Sequence, residues 1–519
     1  MTPGAAGDPR TFARPAEVIA SGVCTHRAGP SARLLDGTRI TDHWFDLPLD
    51  HARPEGALIR VYAREYVSGL NPDTTAPLDS SADVGAAGAG HGLPWLLFLQ
   101  GGPGGKGVRQ AQLGGWMKEV AQRFRILMLD QRGTGLSTPA NRNTLPLIGT
   151  PEEQADYLVH LRAPSIVQDA ELIRLMLGAE PWTVFGQSFG GFCALSYLSW
   201  HPEGMSRALI TGGLAPLDGP PDRVYRATYQ RMRARNEEYF GRFPEDRQIL
   251  GRVYDAVRAG ETGAAPSVLL PDGSPVTVGR VQMLGMFLGG NTRMDQLHYL
   301  LQEAFERVPV VPVKVAEGGE VMAGASQDIL SDVFLHGLYQ QVSRATNPLY
   351  LVMHESIYAQ PAQVSQAQQD SPPLAQLASP PEDDATDTAW AAQRVLRSFP
   401  DLADFDPDQT AHPLLTGEMV FDWYADLDPA LRPLQAVTEE LARRTDWGPL
   451  YDLEALATNT VPTAAAIYTH DVYVDRDLSL ETASRVQGLM AWETDAFHHD
   501  GIGDDGPGIL RRLLEMTGP

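Results

Sequence analysis

The chain has 519 residues, 43% of them hydrophobic and 20% charged, with a formal net charge of −24. That length exceeds one ordinary domain, and the apolar content suffices for a sizeable core, which excludes a disordered chain. The acidic field opposes binding to nucleic acid and to anionic membranes, and two cysteines, Cys24 and Cys193, make neither a disulfide framework nor a zinc cluster.

Residues 1–30 carry no clear period and read as a loose arm, without the apolar stretch of a signal peptide. Residues 44–49 (WFDLPL) and 58–67 (LIRVYAREYV) alternate, which predicts an antiparallel hairpin. Residues 68–93, rich in Gly, Ala, Ser, Asp and Pro, read as a flexible loop. Continuous apolar runs follow at 95–99 (WLLFL), 126–129 (ILML), 182–185 (WTVF) and 208–211 (ALIT), with helical stretches such as 166–177 between them. Short runs without alternation fit strands covered on both faces, so this rhythm predicts a parallel sheet with right-handed crossovers.

Residues 218–435 break the rhythm. They read as mainly helical, with amphipathic stretches such as 223–243 and one low-complexity segment, 360–386, expected to be a mobile loop. Strand-like runs return at 464–468 (AAAIY) and 489–492 (LMAW), and a helix is expected at 508–516. The expectation is a core built from 1–217 and 436–519 around a helical cap insertion, 218–435. No run of 18 uninterrupted apolar residues occurs, so no membrane span is expected and a cytoplasmic location is the default.

The motif Gly186-Gln187-Ser188-Phe189-Gly190 lies between an expected strand and an expected helix (FCALSYLSW). That context is the nucleophile elbow of the α/β-hydrolase fold, with Ser188 at its tip. Gly-rich tight turns also occur without catalysis, and the flanking strand and helix are what favour the nucleophile. The helix N-terminus behind Ser188 would favour an oxyanion. Gln100-Gly101-Gly102-Pro103-Gly104-Gly105 follows the 95–99 strand, where this fold draws one oxyanion donor. The backbone N–H groups of Gly102 and Phe189 are therefore the candidate donors. A phosphate-loop reading of the same segment fails, because Gln100 and Gly107 stand where Gly and Ser or Thr are required.

An acid and then a histidine should follow the nucleophile in chain order. After 464–468 come Asp471, Asp475 and Asp477, of which Asp471 is nearest the strand end. After 489–492 come His498 and His499. Spacing alone does not choose between the histidines. Ordinary roles for the surplus residues are a helix cap or a loop hydrogen bond. A metal site made of His470, His498 and His499 lacks further ligands.

QGGPGG, then Asp130-Gln131-Arg132-Gly133-Thr134-Gly135-Leu136-Ser137, then GQSFGG together resemble the proline iminopeptidase family, whose usual series is HGGPGG, DQRGxGxS and GxSxGG. Gln100 replaces the usual His. Asp130 and Arg132 read as organisers of the loops beside the site. The stretch VPTAAAIYTHDVYVD resembles the family's acid loop and FHHDGIGDDG its base loop, which implies Asp471 and His499. The resemblance covers residues 40–220 and 435–519 well and the insertion in patches.

The resemblance further implies a serine aminopeptidase that releases an N-terminal residue, preferably proline, from short peptides with a free N-terminus, without metal or organic cofactor. In that family acidic residues of the cap hold the substrate's α-ammonium, because an ammonium in a closed pocket needs a carboxylate. Glu355 (in MHESIYA) and Glu418 (in TGEMVFDWY) are the candidates. The rivals are a carboxylesterase or lactonase, a tripeptide-releasing aminopeptidase, and a non-catalytic binding protein that keeps the fold.

Overall fold

The computed structural model describes residues 7–70, 92–307, 328–361 and 387–518. In chain order its strands are β1 (Thr25–Ala28), β2 (Ala32–Arg33), β3 (Arg39–Pro48), β4 (Leu58–Val67), β5 (Trp95–Leu99), β6 (Arg125–Asp130), β7 (Trp182–Gln187), β8 (Met205–Thr211), β9 (Phe305–Arg307), β10 (Asp328–Leu330), β11 (Thr463–Tyr468) and β12 (Leu489–Thr494). All but β9 and β10 join one sheet, in the order β1-β3-β4-β6-β5-β7-β8-β11-β12 with β2 beside β3. β3 and β4 form the expected antiparallel hairpin, and along the large sheet the pairings from β6 through β5, β7, β8 and β11 to β12 are parallel.

The apolar runs lack alternation because both faces of the sheet are covered. Leu97, Leu127, Val184, Ile210 and Ala465 pack on one face with helices Ala163–Met176 and Phe189–Trp200. Leu96, Phe98, Met128, Phe185 and Ala466 pack on the other with Trp116, Leu510 and Leu513. Neighbouring residues of one strand thus serve opposite cores, as the period of two requires. Each fully buried Leu, Val or Phe contributes about 1.5–3 kcal/mol by leaving water.

Between β8 and β11 the described residues form helices, among them Pro221–Arg242 and Pro244–Glu261, and the small antiparallel pair of β9 with β10. Their apolar cluster also takes in Leu158 and Leu161 from before the 218–435 stretch and Leu441, Trp447 and Tyr473 from after it. Among the described residues no helix is long and apolar enough to cross a membrane.

Two expectations are corrected by the structure, and two fall mostly beyond the described residues. The described part of the supposed loose arm is ordered: it carries helix Pro15–Ser21 and strand β1, paired antiparallel with β3. Tertiary contacts hold it, since His26 stacks on Phe45 at 4.5 Å and Arg27 lies over Trp44 at 4.4 Å. No local period could announce such contacts. The strand expected at 489–492 is not covered like the others; it is the sheet edge, with Met490 38% exposed. The loops expected at 68–93 and 360–386 fall mostly outside the described residues.

Candidate active site

β5 lies between β6 and β7, all three parallel, so the segments leaving β5 and β7 emerge side by side at one sheet edge. β7 ends in Gln187, and helix Phe189–Trp200 begins one residue after Ser188. Ser188 turns the chain with φ 55° and ψ −126°, a strained conformation for a residue with a Cβ. The turn is tight enough that a Cβ on Gly190 would stand 1.9 Å from the Leu99 carbonyl oxygen. The Ser188 N–H donates to the Thr211 carbonyl at 3.0 Å, which ties the elbow to the end of β8.

His499 Nε2 lies 2.9 Å from Ser188 Oγ, and His499 Nδ1 lies 2.8 Å and 3.0 Å from the two carboxylate oxygens of Asp471. Asp471 is 1% exposed. Its Oδ1 also accepts from the Tyr473 and Val474 N–H groups, at 2.9 Å and 3.0 Å, so the carboxylate is oriented by its own loop. The tautomer that serves both contacts carries its proton on Nδ1 and leaves Nε2 to accept from the serine hydroxyl. Burial works against the imidazolium, but the charge and hydrogen bond of Asp471 outweigh it and, with Glu418 and Asp500, hold His499 up at about 9.

The rival residues have other partners. His498 Nδ1 faces the His470 carbonyl at 3.2 Å, and burial lowers its basicity. Asp475 caps helix Arg476–Arg485 through the Asp477 and Leu478 N–H groups and pairs with Arg231 at 2.7 Å. Asp477 is exposed and pairs with Arg231 and Arg476. Cys193 is fully buried on the helix behind Ser188, and burial pushes its thiol far up, so it stays protonated.

Gly102 has φ 142°, a conformation open to glycine, and a Cβ there would stand 2.8 Å from the Gly105 nitrogen. Among the hydrogen bonds of the described residues none comes from the Gly102 N–H. Phe189 is the first residue of its helix, so its N–H has no intrahelical acceptor. Two side chains from elsewhere brace this loop: Gln131 Nε2 donates to the Gln100 carbonyl at 3.0 Å, and Asn347 Nδ2 donates to the Pro103 carbonyl at 3.2 Å.

The DQRG block beside it is sealed. Asp130 accepts from the Gly107 and Leu136 N–H groups, each at 2.9 Å, and from Arg109 at 2.5 Å. Arg132 forms a fork with Asp169 and donates to the carbonyls of Pro48, Leu49 and His160.

The two glutamates Glu355 and Glu418 differ in placement. Glu418 is partly exposed; its Oε1 accepts from the Tyr350 hydroxyl at 2.9 Å. Burial raises its carboxyl, and the nearby His499 counters that. Glu355 is buried, accepts from the Ala392 N–H at 3.3 Å, and is pushed up to about 8 by burial. It lines a small pocket with Leu351, Val352, Thr388, Trp390 and Val420, and none of Ser188, His499 and Asp471 borders that pocket. The segment that carries Glu355 is clasped from below by Arg162, which donates to the carbonyls of Ser356, Ala359 and Gly448.

Tyr350, Asn347 and Tyr473 escaped the reading of the sequence. Tyr473 packs edge-on against the His499 ring, centroids 4.9 Å apart. Its place two residues after Asp471 was the one available signal.

Comparison with known proteins gives the family of the chain. A family model described as alpha/beta hydrolase fold matches residues 94–250. The chain is 38% identical to the proline iminopeptidase of Aeromonas sobria, across 94% of this chain and 99% of that protein. It is 28% identical to proline iminopeptidase aneH of Aspergillus aculeatus, across 93% of this chain and 97% of that one. A shorter match, 33% identical across 24% of this chain and 34% of the relative, joins it to the proline iminopeptidase of Neisseria gonorrhoeae. The chain therefore belongs to the proline iminopeptidase family, and its fold is that of the α/β-hydrolases.

Proposed function

We propose that this chain is a serine aminopeptidase that releases an N-terminal residue, preferably proline, from short peptides with a free amine. The observation that carries the reading is the unbroken series Asp471–His499–Ser188, with contacts of 2.8 Å and 2.9 Å, in a chain 38% identical to a proline iminopeptidase.

Each residue has one task in this proposal. His499 takes the Ser188 proton as Oγ attacks the carbonyl carbon of the first residue, and Asp471 stabilises the imidazolium. The N–H groups of Gly102 and Phe189 hold the oxyanion. When the tetrahedral intermediate collapses, His499 returns the proton to the leaving amine, and the first residue stays as an ester on Ser188. Water, deprotonated by His499, then releases it. Glu418, near His499, holds the substrate's α-ammonium, with Glu355 as the second carboxylate of the same cap. Residues 218–435 act as the cap that limits access to short or flexible N-termini.

The test compares proline p-nitroanilide, its N-acetylated form and p-nitrophenyl acetate with wild type and Ser188→Ala. Fast cleavage of the free-amine anilide, absent in the acetylated substrate and in Ser188→Ala, is the expected result. Cleavage of the ester alone would leave a serine esterase and remove the peptidase.

A further inference from the structure

The structure assigns to Tyr473 a positioning role: it couples the cap around Glu418 to the imidazole of His499, so that a free amine bound by the cap sets the alignment of the base. This rests on the aminopeptidase reading given above and deepens it.

Tyr473 meets three parts of the site at once. Its backbone N–H donates to Asp471 Oδ1 at 2.9 Å. Its ring packs edge-on to His499, with centroids 4.9 Å apart and an interplanar angle of 73°. Its hydroxyl donates to the Met286 carbonyl at 2.9 Å, in the 3-10 helix Met283–Gly289 of the middle segment. The ring has no free space on the cap side. A Cβ on Gly289 would stand 2.4 Å from it, and one on Gly417 would stand 3.1 Å from it.

Gly417 precedes Glu418, whose carboxylate accepts from the Tyr350 hydroxyl; the same hydroxyl lies 3.8 Å from Met286 Sδ. Glu418, Tyr350, Met286 and Tyr473 thus form a contiguous path that ends on the base. The base loop itself touches the same cap helix, because the Asp500 N–H donates to the Gly289 carbonyl at 3.2 Å. Close packing makes such a path a carrier of small displacements. An ammonium drawn to Glu418 would act on the Gly417 edge of the ring and, through it, on His499. A substrate without that amine would leave the ring where it stands, so the device would favour the right substrate in kcat as well as in KM.

The experiment is steady-state kinetics on the full chain with proline p-nitroanilide and p-nitrophenyl acetate, for wild type, Tyr473→Phe, Glu418→Gln and the double variant. Tyr473→Phe keeps the ring and the backbone N–H and removes only the hydroxyl's bond to Met286. We expect kcat on the anilide to fall about tenfold with KM changed less than about threefold, and the ester rate to fall at most about threefold. The double variant should be no more than about twofold worse than Glu418→Gln alone, since the two residues act along one path. Gly289→Ala, which crowds the ring from the cap side, should bias the two substrates the same way, with its melting temperature recorded alongside. Equal losses on both substrates, or losses that multiply in the double variant, overturn the coupling. A wild type that cleaves the ester and not the anilide overturns the aminopeptidase reading and the coupling with it. An active wild type with unbiased variants overturns the coupling alone.

Discussion

Arg132 and Asp169 face each other fork to fork in the interior, Nε 2.7 Å from Oδ2 and Nη2 2.6 Å from Oδ1, with side chains 0% and 1% exposed. Arg132 also donates to three backbone carbonyls, so the pair ties β3 and the segment after β6 to helix Ala163–Met176. Removing Arg132 leaves the buried Asp169 charge without its guanidinium, with His51 Nε2 beside it at 3.0 Å, and breaking such a pair costs about 3–5 kcal/mol. Arg132→Met should therefore lower the denaturant midpoint markedly, with an unchanged slope. A midpoint shift equivalent to less than about 1 kcal/mol would show the pair to be dispensable.

Ser188→Ala should reduce kcat on proline p-nitroanilide by at least about 10⁴-fold and abolish labelling by a fluorophosphonate, with folding intact. Asp471→Asn should cost about 10⁴-fold while leaving the protein foldable, because it spoils the tautomer rather than the packing. Measurable labelling of the Ser188→Ala protein would point to another nucleophile.

The pH profile follows from His499, held at about 9 against an ordinary value of 6.5, chiefly by Asp471 against the opposing effect of burial. A base works only when neutral, so kcat/KM for a neutral ester should climb through pH 8, reach half its plateau near pH 9 and level off only above that. Glu418→Gln removes one of the negative neighbours that raise His499 and should move the rise to lower pH. A profile already flat from pH 6.5 would contradict this electrostatic picture.

Glu355 gives a stability signature. Burial pushes its carboxyl up to about 8 from an ordinary 4.5. The folded state then holds the proton more tightly than the unfolded state. Its contribution is complete below pH 4.5 and is lost as pH climbs through about 8. The loss is at most roughly 4–5 kcal/mol at 1.36 kcal/mol per unit. Glu355→Gln should flatten the fall of melting temperature across that window. Parallel curves for the two proteins would mean that Glu355 does not titrate there.

Gly190→Ala should fail to accumulate as folded protein, or should melt far lower. Its Cβ would stand 1.9 Å from the Leu99 carbonyl oxygen, a backbone atom that cannot swing aside. A normal melting temperature for this variant would mean that the elbow can open without cost.

The sequence by itself determined the strand rhythm and the elbow. WLLFL and ILML are apolar at every position, and WTVF and ALIT at all but Thr183 and Thr211, because each strand feeds two cores, and that demand is written locally. GQSFGG is legible as a motif, and Gly186 answers to the nearby backbone of Gly190 and Gly191, although Gly190 answers to the Leu99 carbonyl and Gly191 to Gly213. The chain order of nucleophile, acid and base limited the remaining candidates to three aspartates and two histidines.

Tertiary structure decided the rest. His498 and His499 are neighbours in the chain, yet one turns to the His470 carbonyl and the other to Ser188, because successive side chains of the loop point apart. β1 is held by Phe45 and Trp44, and the last strand lost its cover by falling at the edge of the sheet. Glu355 and Glu418 looked alike in sequence, but one lines a pocket with Thr388 and Trp390 and the other stands near His499. Each of these outcomes depends on a partner far along the chain. Local pattern records how much of a residue is buried, whereas the identity of its neighbour is set only when distant segments pack together.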